Sequence, residues 1–278
     1  MGPGTLDGLR ALSFEARRAD ELAAMLARHG AEVRCAPALR ETSLGVRPEA
    51  LELVRGLEAG EVDLVVLLTG VGTRALARAV AEACPHLGAL LARTRIVARG
   101  PKPLAALREL GVPGAHPVPE PFTWRQVLAV VDGLDLPRGG LAAVQEYGAP
   151  VPGLVDGLAR RGLRVLSVPV YRWALPEDVR PLAAATAALA RGEADVAVFT
   201  NTAQVEHLFR AAADPEVLRR GLAHAVVASV GPVCTEALEA HGIAPDLEAS
   251  PPKMGPLVAL VAARTRALLA AKRGARAR

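Results

Sequence analysis

Short apolar runs alternate with longer amphipathic stretches along most of the chain. The apolar runs lack the strict alternation of a half-exposed strand, and such runs separated by helices are typical of parallel sheets covered on both faces. The pattern predicts strands near 8–13, 32–36, 63–68, 95–98, 140–145, 163–169, 195–199 and 225–230. It predicts helices near 16–29, 48–59, 73–83, 102–110, 124–132, 151–161, 178–190, 202–211, 233–241 and 255–270.

The same pattern occurs twice. Residues 62–69 (VDLVVLLT) resemble residues 194–200 (ADVAVFT), and aligning their threonines gives an offset of 200 − 69 = 131. The same offset places the Gly-Pro pair at 100–101 on the pair at 231–232, and an offset of 132 aligns residues further upstream. A duplicated unit of this length is too long for a solenoid repeat. We therefore predict an α/β protein of two similar, doubly wound parallel-sheet domains.

Strand ends in both copies lead directly into helix starts. Residues 69–72 (TGVG) and 200–202 (TNT) are the same strand-to-helix corner, and the Gly-Pro pairs 100–101 and 231–232 form a second corner. Residues 123–126 (TWRQ) have the pattern of a capping box. Backbone N–H groups and the positive end of a helix dipole face the sheet edge at such corners. They are either ordinary caps or parts of an anion-binding site, which doubly wound sheets form at this edge.

The chain has only two tyrosines, and both follow predicted strands. Tyr147 ends the strand at 141–146, and Tyr171 ends the strand at 165–170. A phenol at the carboxyl end of a strand can donate a proton or a hydrogen bond to a ligand. Packing in the core with a satisfied hydroxyl is the alternative for each.

Composition narrows the function classes. Apolar residues make up 51% and charged residues 22% of 278 residues, which describes a globular chain with room for a sizeable core. Aromatic residues make up 3%, so we expect no base-stacking nucleic-acid surface. The net charge of +4 comes largely from dispersed arginines, which suit a small anionic ligand at least as well as DNA. We expect the basic end, 272–278, to be a frayed, solvated terminus.

Cysteine usage and hydropathy indicate a cytoplasmic protein without a membrane segment. Three distant cysteines are typical of a reducing compartment without disulfides. No leader pattern opens the chain, and no apolar run approaches ~18 residues. Cys234, at a predicted helix start, is either a stabilised thiolate or a small buried residue.

Metal and nucleotide sites are not expected. The six histidines show no metal-ligand spacing, and the cysteines form no CxxC pair. Residues 70–75 match GxGxxA, but they follow the third strand rather than the first, and no acidic residue ends a strand about 20 residues later. The second copy has no glycine there, so we expect no Rossmann cofactor site.

Six segments, taken in order, resemble the uroporphyrinogen-III synthase family. No single segment is specific, but together they span nearly the whole chain. They are LTGVG at 68–72, ARGPK at 98–102, VQEYG at 144–148, PVYRW at 169–173, FTNT at 199–202 and VGPVCTEAL at 230–238.

The resemblance implies a cofactor-free cytoplasmic enzyme of tetrapyrrole biosynthesis. It closes linear hydroxymethylbilane into uroporphyrinogen III, inverting the last pyrrole ring and losing water through azafulvene and spiro intermediates. In this family two α/β domains flank a cleft, a pair of strands joins them, and the N-terminal βαβ segment belongs with the C-terminal half. We therefore expect a discontinuous domain of residues 1–37 and 172–278, a second domain of residues 38–171, joining strands near 36–40 and 169–173, and a monomer.

The resemblance also assigns roles to residues. Tyr171 is expected to be catalytic, assisting departure of the hydroxyl group. Val233 and Cys234 stand where many relatives carry hydroxyl residues, so we expect backbone rather than side-chain binding there. The acetate and propionate carboxylates of the substrate suit helix starts, which bind anions without one basic residue for each. The expected substrate-binding residues are Thr69, Gly70, Gly72, Gly100, Lys102, Tyr147, Gly148, Thr200, Asn201, Thr202, Gly231, Pro232 and Val233.

Two other function classes remain open. A synthase-like module can sense a tetrapyrrole without converting it, and in some bacteria such a module precedes a DNA-binding winged helix; no winged-helix pattern is visible here. A two-lobed periplasmic binding protein would need an export signal, and none is recognised. Formation of the type III product separates an enzyme from both.

Overall fold

The computed structural model describes residues 5–148 and 150–276. The strands are β1 (Arg10–Ser13), β2 (Glu32–Cys35), β3 (Arg40–Ser43), β4 (Val62–Leu67), β5 (Arg95–Ala98), β6 (Ala115–Pro117), β7 (Leu141–Gln145), β8 (Arg164–Val168), β9 (Tyr171–Ala174), β10 (Val196–Phe199), β11 (Val226–Ser229) and β12 (Leu247–Glu248). The helices are α1 (Ala19–Ala27), α2 (Pro48–Ala59), α3 (Gly70–Ala79), α4 (Leu87–Leu91), α5 (Pro101–Glu109), α6 (Trp124–Asp132), α7 (Pro152–Arg160), α8 (Arg180–Ala190), α9 (Thr202–Ala211), α10 (Pro215–His224), α11 (Pro232–Ala240) and α12 (Met254–Arg276).

The chain divides into two units, each built on one parallel sheet. Unit 1 is Met1–Arg40 with Ala174–Arg278, and unit 2 is Glu41–Trp173. The sheet of unit 1 has the order β12-β11-β10-β1-β2, and that of unit 2 has the order β6-β5-β4-β7-β8. The chain passes between the units within β3 and β9, which pair as a separate two-stranded sheet.

The two sheets share one layout with a different chain order. Read from the edge, β6-β5-β4 corresponds to β12-β11-β10, while β7-β8 corresponds to β1-β2. All neighbouring strands within each five-stranded sheet are parallel. The predicted fold class of two similar doubly wound sheets is confirmed, and the first two strands of unit 1 come from the start of the chain.

Both faces of each sheet are buried, as uninterrupted apolar strands require. Along β4, Val65 and Leu67 belong to the core beneath α2, α3, α4 and α5, while Leu64 and Val66 belong to the core beneath α6 and α7. Alternate side chains of a strand point to opposite faces. The sheet of unit 1 is likewise covered by α8, α9, α10 and α11 on one face and by α1 and α12 on the other.

The C-terminal helix α12 covers the sheet of unit 1. Its residues Met254–Gly274 have the length and composition of a membrane span, with a mean hydropathy of 1.4. The helix nevertheless contacts β11 and α1, and its buried leucines and valines join their core. Lys272 Nζ lies 2.8 Å from Asp246 Oδ2, and Arg273 Nη2 lies 2.9 Å from Asp195 Oδ1. The predicted frayed end is therefore wrong for these two residues, while residues 277–278 lie outside the described part of the chain.

All eight predicted strands and all ten predicted helices are present, but six elements were not predicted from the apolar pattern. Two are the helices α4 and α10. The others are the strands β3, β6, β9 and β12, of which β3 and β9 form the joining pair that the family resemblance implied. The capping box at the start of α6 is confirmed, since Thr123 and Gln126 exchange side-chain and backbone contacts.

Glu146 is a buried carboxyl group that follows β7 and is 9% exposed. Burial raises its pKa, the nearby Glu49 carboxylate adds to the rise, and a hydrogen bond with Ser167 opposes it. The unfolded chain releases this proton at a lower pH than the folded chain does. The folded state therefore binds more protons across that interval, and its stability falls as the pH rises through the interval.

We predict that Glu146→Gln raises the thermal unfolding midpoint at pH 7 relative to the parent chain, because it removes the cost of a buried charge. The advantage should shrink as the pH falls toward about 4, below the ordinary glutamate pKa of about 4.3. Thermal melts across this range measure the effect, with Glu52→Gln on the exposed side of α2 as the control. A midpoint difference that does not change with pH would contradict the prediction.

Candidate functional site

In each unit the chain leaves one central strand in one direction and its neighbour in the other. The switch lies between β4 and β7 in unit 2 and between β10 and β1 in unit 1. Ligands of open parallel sheets bind beyond the carboxyl ends of the strands at this point. The residues that follow these four strands are therefore the candidate site residues of each unit. We call the carboxyl ends of the strands around each switch point, with the residues that follow them, the edge of that unit.

Thr69 organises the corner after β4. Its side chain caps α3 by accepting a hydrogen bond from Gly72 N at 3.0 Å. Its own N–H donates to Gln145 Oε1, at the end of β7, at 3.3 Å. The first N–H groups of a helix have no acceptor within the helix. This corner therefore presents donors and the positive end of α3 at the switch point.

The two glycines of this corner are closely packed, Gly70 against backbone and Gly72 against the end of a side chain. A Cβ atom on Gly70 would lie 2.5 Å from the carbonyl oxygen of Lys102, and a Cβ on Gly72 would lie 2.0 Å from Gln145 Nε2. Gly70 therefore lets the starts of α3 and α5 approach each other. The side chain of Lys102 itself is exposed. These glycines place backbone close to the site.

Tyr171 is the first residue of β9 and lies three residues beyond the end of β8. The prediction that it ends the preceding strand is therefore wrong, because Pro169 and Val170 separate two strands that belong to different sheets. Tyr171 is 5% exposed and belongs to the core beneath α2, α3, α4 and α5. Its hydroxyl lies 3.3 Å from Thr69 Oγ1. The structure thus brings together two residues that the sequence separates by 102 positions.

Tyr147 and Gly148 lie beside the same switch point. The Tyr147 ring makes an edge contact with Trp173 at a centroid distance of 5.3 Å, and the Arg99 guanidinium lies 4.4 Å from its centroid. Gly148 has φ +89, and a Cβ there would lie 2.6 Å from Trp173 Cδ2. The backbone of Gly148 also pairs with that of Arg172. The edge of unit 2 therefore combines the aromatic pair of Tyr147 and Trp173 with the Arg99 guanidinium.

The second corner of unit 2 begins with Gly100. Gly100 is buried, has φ +92 and precedes α5, which starts with Pro101. Arg99 Nε donates to the carbonyl oxygen of Leu68 at 3.1 Å, which fixes the guanidinium over Tyr147. Arg99, exposed Lys102 and exposed Arg172 make this edge cationic.

The corresponding edge of unit 1 contains a carboxylate. The Thr200 hydroxyl donates to Glu15, which follows β1, and Gln204 Nε2 lies 2.8 Å from Thr200 Oγ1 and 3.3 Å from Glu15 Oε2. Thr200 N donates to Gln204 Oε1 at 2.8 Å. The residue that caps α9 is Asn201, which accepts from Ala203 N at 2.8 Å. Thr200 therefore lies on the strand side of the cap, unlike Thr69, with which it aligns.

The remaining predicted residues of unit 1 lie at the starts of α9 and α11. Thr202 Oγ1 donates to the carbonyl oxygen of Val233 at 3.5 Å, which joins the first turns of the two helices. Pro232 is the first residue of α11, and a Cβ on Gly231 would lie 2.7 Å from Pro252. These contacts bring Thr202, Gly231, Pro232 and Val233 to one edge.

Cys234 is a core residue rather than a nucleophile. It is 3% exposed, and burial raises the pKa of its thiol to about 12. The neighbouring Thr235 hydroxyl lies 2.7 Å from Ser229 Oγ and donates to Glu248. A hydroxyl group is therefore present at the start of α11, and it is already bound within unit 1.

Residues at these edges that were not selected from the sequence include Glu15, Arg99, Gln145, Arg172, Trp173 and Gln204. Glu15 and Arg99 each follow a strand and Gln204 lies in the first turn of α9, while Gln145 lies within β7 and Arg172 and Trp173 lie within β9. The signal for Gln145 is an amide at the end of an otherwise apolar run, whereas Gln204 stands among other polar residues. Nothing in the local pattern distinguishes Glu15 from other charged residues that follow strands.

Comparisons with known proteins agree with this architecture. The family described as "Uroporphyrinogen-III synthase HemD" matches residues 20–259. A variant of uroporphyrinogen III synthase from the extreme thermophile Thermus thermophilus is 35% identical, covering 94% of this chain and 99% of its own, with a TM-score of 0.74. The wild-type Thermus enzyme in a second crystal form is also 35% identical. The match covers 94% of this chain and 98% of that enzyme, with a TM-score of 0.56.

A curated relative supports the same assignment. A protein from Methanothermobacter thermautotrophicus, provisionally named a uroporphyrinogen-III synthase, is 30% identical over 191 residues, or 66% of this chain and 72% of its own. The family match covers well over half of the chain, and the switch-point residues of both units lie within or just before it. The chain belongs to the uroporphyrinogen-III synthase family, whose members are cyclising lyases.

Proposed function

We propose that the chain closes hydroxymethylbilane to uroporphyrinogen III, with inversion of the last pyrrole ring and loss of water. Family membership supports the reaction class. The observation that carries the proposal is the contact between the Tyr171 hydroxyl and Thr69 Oγ1 at the start of α3, beside a topological switch point.

The chemistry of the first step requires little more than a positioned donor. The pyrrole nitrogen supplies electron density that expels the hydroxymethyl oxygen, which leaves as water once it gains a proton. In our proposal the Tyr171 phenol donates to that departing oxygen, and Thr69 orients the phenol. The product of this step is an azafulvene, which the last ring attacks to give a spiro intermediate.

Carboxylate binding explains the charge of the edge of unit 2. The substrate carries acetate and propionate carboxylates. Arg99 and Lys102 supply cationic side chains at the start of α5, and Arg172 is an exposed cation whose backbone pairs with Gly148. Guanidinium groups bind carboxylates through two parallel hydrogen bonds, and helix N-termini bind them through backbone N–H groups. We propose that these groups hold the linear substrate folded, so that ring closure without inversion is disfavoured.

At Thr200, the edge of unit 1 can accept a carboxylate if Glu15 moves away from the hydroxyl. In this structure Glu15 already accepts from the Thr200 hydroxyl and from the N–H groups of Arg17 and Arg18. We propose that a substrate carboxylate competes with Glu15 for Thr200. The Thr200 hydroxyl then donates a hydrogen bond to the substrate carboxylate instead of to Glu15.

The first prediction from the proposed function is the reaction itself. The purified chain incubated with enzymatically generated hydroxymethylbilane, without added metal or nucleotide, should yield predominantly type III porphyrin after oxidation. Separation of type I and type III isomers by chromatography measures the outcome. Only type I isomer, formed at the spontaneous rate, would contradict the proposal and favour a sensing module.

A second prediction concerns Tyr171→Phe. The variant keeps the ring in the core and removes the proton donor, so kcat should fall while KM changes little. A positioned acid contributes typically ~10²–10⁴-fold, and because water can partly replace it, we expect a loss near or below the lower limit. Steady-state kinetics with isomer analysis measure the effect.

The folding control for this variant is its thermal midpoint. A neutral hydrogen bond contributes about 0.5–1.5 kcal/mol to stability, so the variant should remain folded at the assay temperature. Full kcat with an unaltered type III yield would show that Tyr171 only packs, and that backbone donors and substrate folding account for catalysis.

A third prediction concerns Thr200→Val. The variant removes a donor at the edge of unit 1 and leaves the Glu15 carboxylate less neutralised, so both effects weaken binding of an anionic substrate. A hydrogen bond to a charged group contributes about 1.5–3 kcal/mol, and solvent recovers part of it, so KM should rise by roughly 10-fold or less with a smaller change in kcat.

The matched control is Thr186→Val. Thr186 is buried in α8 and donates to the Ala183 carbonyl oxygen, so its loss should leave KM unchanged. Equal kinetic constants for Thr200→Val and the parent chain would mean that the edge of unit 1 does not bind substrate through this side chain.

A further inference from the structure

A thiol, an imidazole and a carboxylate converge in unit 2 at a place that the proposed reaction does not use. One ligand atom from each of Glu58, Cys84 and His86 lies within 4.8 Å of the other two. His86 Nε2 lies 3.9 Å from Glu58 Oε1. This is the one group of three potential metal ligands among residues 5–148 and 150–276.

The backbone around this cluster is fixed by local hydrogen bonds. Cys84 N donates to the Val80 carbonyl oxygen at 2.7 Å, and the His86 carbonyl oxygen accepts from Ala89 N at 2.9 Å. Cys84 is 1% exposed and packs in the core beneath α2. The turn between α3 and α4 therefore holds the thiol in place, while Glu58 projects from the last turn of α2.

The two outer ligands are free to adjust. The side chains of His86 and Glu58 are 55% and 46% exposed. A surface ion pair would account for these two residues alone, and such pairs contribute little to stability. It does not account for a thiol within the same small volume, which is the feature that points to a metal ion.

We propose that Glu58, Cys84 and His86 bind one Zn²⁺ ion. Bonds form from the Cys84 sulfur, a His86 ring nitrogen and a Glu58 oxygen to zinc, the thiol proton passes to solvent, and water occupies the fourth position. Typical Zn–S and Zn–N lengths are about 2.3 and 2.0–2.1 Å, so the exposed side chains of His86 and Glu58 must move inward.

The donor set selects the metal. A thiolate with an imidazole suits zinc, whereas magnesium and calcium prefer oxygen ligands only. With three protein ligands rather than four, the site resembles open zinc sites in coordination number.

The position of the cluster indicates a role in stability. Glu58 lies just before β4 begins, and Cys84 and His86 lie between the end of α3 and α4. These residues come before strands, so they lie toward the amino ends of the sheet, whereas the candidate site residues follow strands. Bound zinc would join α2 to the α3–α4 turn, and the proposal does not depend on the proposed reaction.

The test uses the full chain without a histidine tag, stripped with a chelator and titrated with Zn²⁺ by calorimetry. We expect one zinc ion per chain and a higher thermal midpoint with zinc, since a ligand that binds only the folded state stabilises it. Co²⁺ in place of zinc should give a thiolate-to-cobalt charge-transfer band. Loss of an outer-shell partner typically weakens metal binding ~10–100-fold, so His86→Ala, which removes a ligand, should weaken it at least as much.

The control variant is His116→Ala, which removes an exposed histidine elsewhere in unit 2 and should bind zinc as the parent chain does. Glu58→Gln should weaken binding without altering the fold, and it tests the site without disturbing the buried Cys84. Zinc affinity unchanged in both His86→Ala and Glu58→Gln, or a cobalt complex without the thiolate band, would overturn the proposal.

Discussion

The burial of both faces of each parallel sheet is the constraint on which the rest of the structure depends. Strand side chains between the helix layers are mostly apolar, as the two faces of β4 illustrate, and the buried polar residues Ser13, Gln145 and Ser229 are the last residues of β1, β7 and β11. Polar groups that could act on a ligand are thereby displaced to the ends of the strands. At the switch point the flanking connections diverge and leave an edge uncovered, so the polar groups that follow β4, β7, β10 and β1 gather where a ligand can reach them.

Duplication preserved this layout but not its chemistry. The edge of unit 2 combines the cations Arg99 and Lys102 with a phenol held by Thr69. At the edge of unit 1 the carboxylate of Glu15 binds the Thr200 hydroxyl. The two edges therefore have equivalent topology but different charge: that of unit 2 attracts anions, whereas that of unit 1 already holds a carboxylate.

The sequence predicts the sheets well because buried strands have a distinctive composition. It misses α4, whose five residues are too few for an amphipathic period, and β12, which has only two residues. Contacts between residues that are distant in the sequence are even harder to predict. Thr69 and Tyr171 meet only because β9 returns to the corner after β4, and a motif search by spacing cannot find that contact. The cluster of Glu58, Cys84 and His86 was missed for the same reason, since its carboxylate comes from another helix.

The glycines explain why the resemblance depends on ordered segments rather than on one catalytic motif. Gly70 is required because the backbone carbonyl of Lys102 occupies the space where a Cβ atom would lie, and at Gly72 that space is occupied by the end of the Gln145 side chain. Gly148 is required by the approach of Trp173. Their packing fixes where backbone donors lie at the switch point, and it leaves the neighbouring side chains free to differ. In our proposal, binding through backbone N–H groups and helix dipoles depends little on the identity of the neighbouring side chains, and the step that moves a proton, for which Tyr171 is the candidate, depends on a particular one.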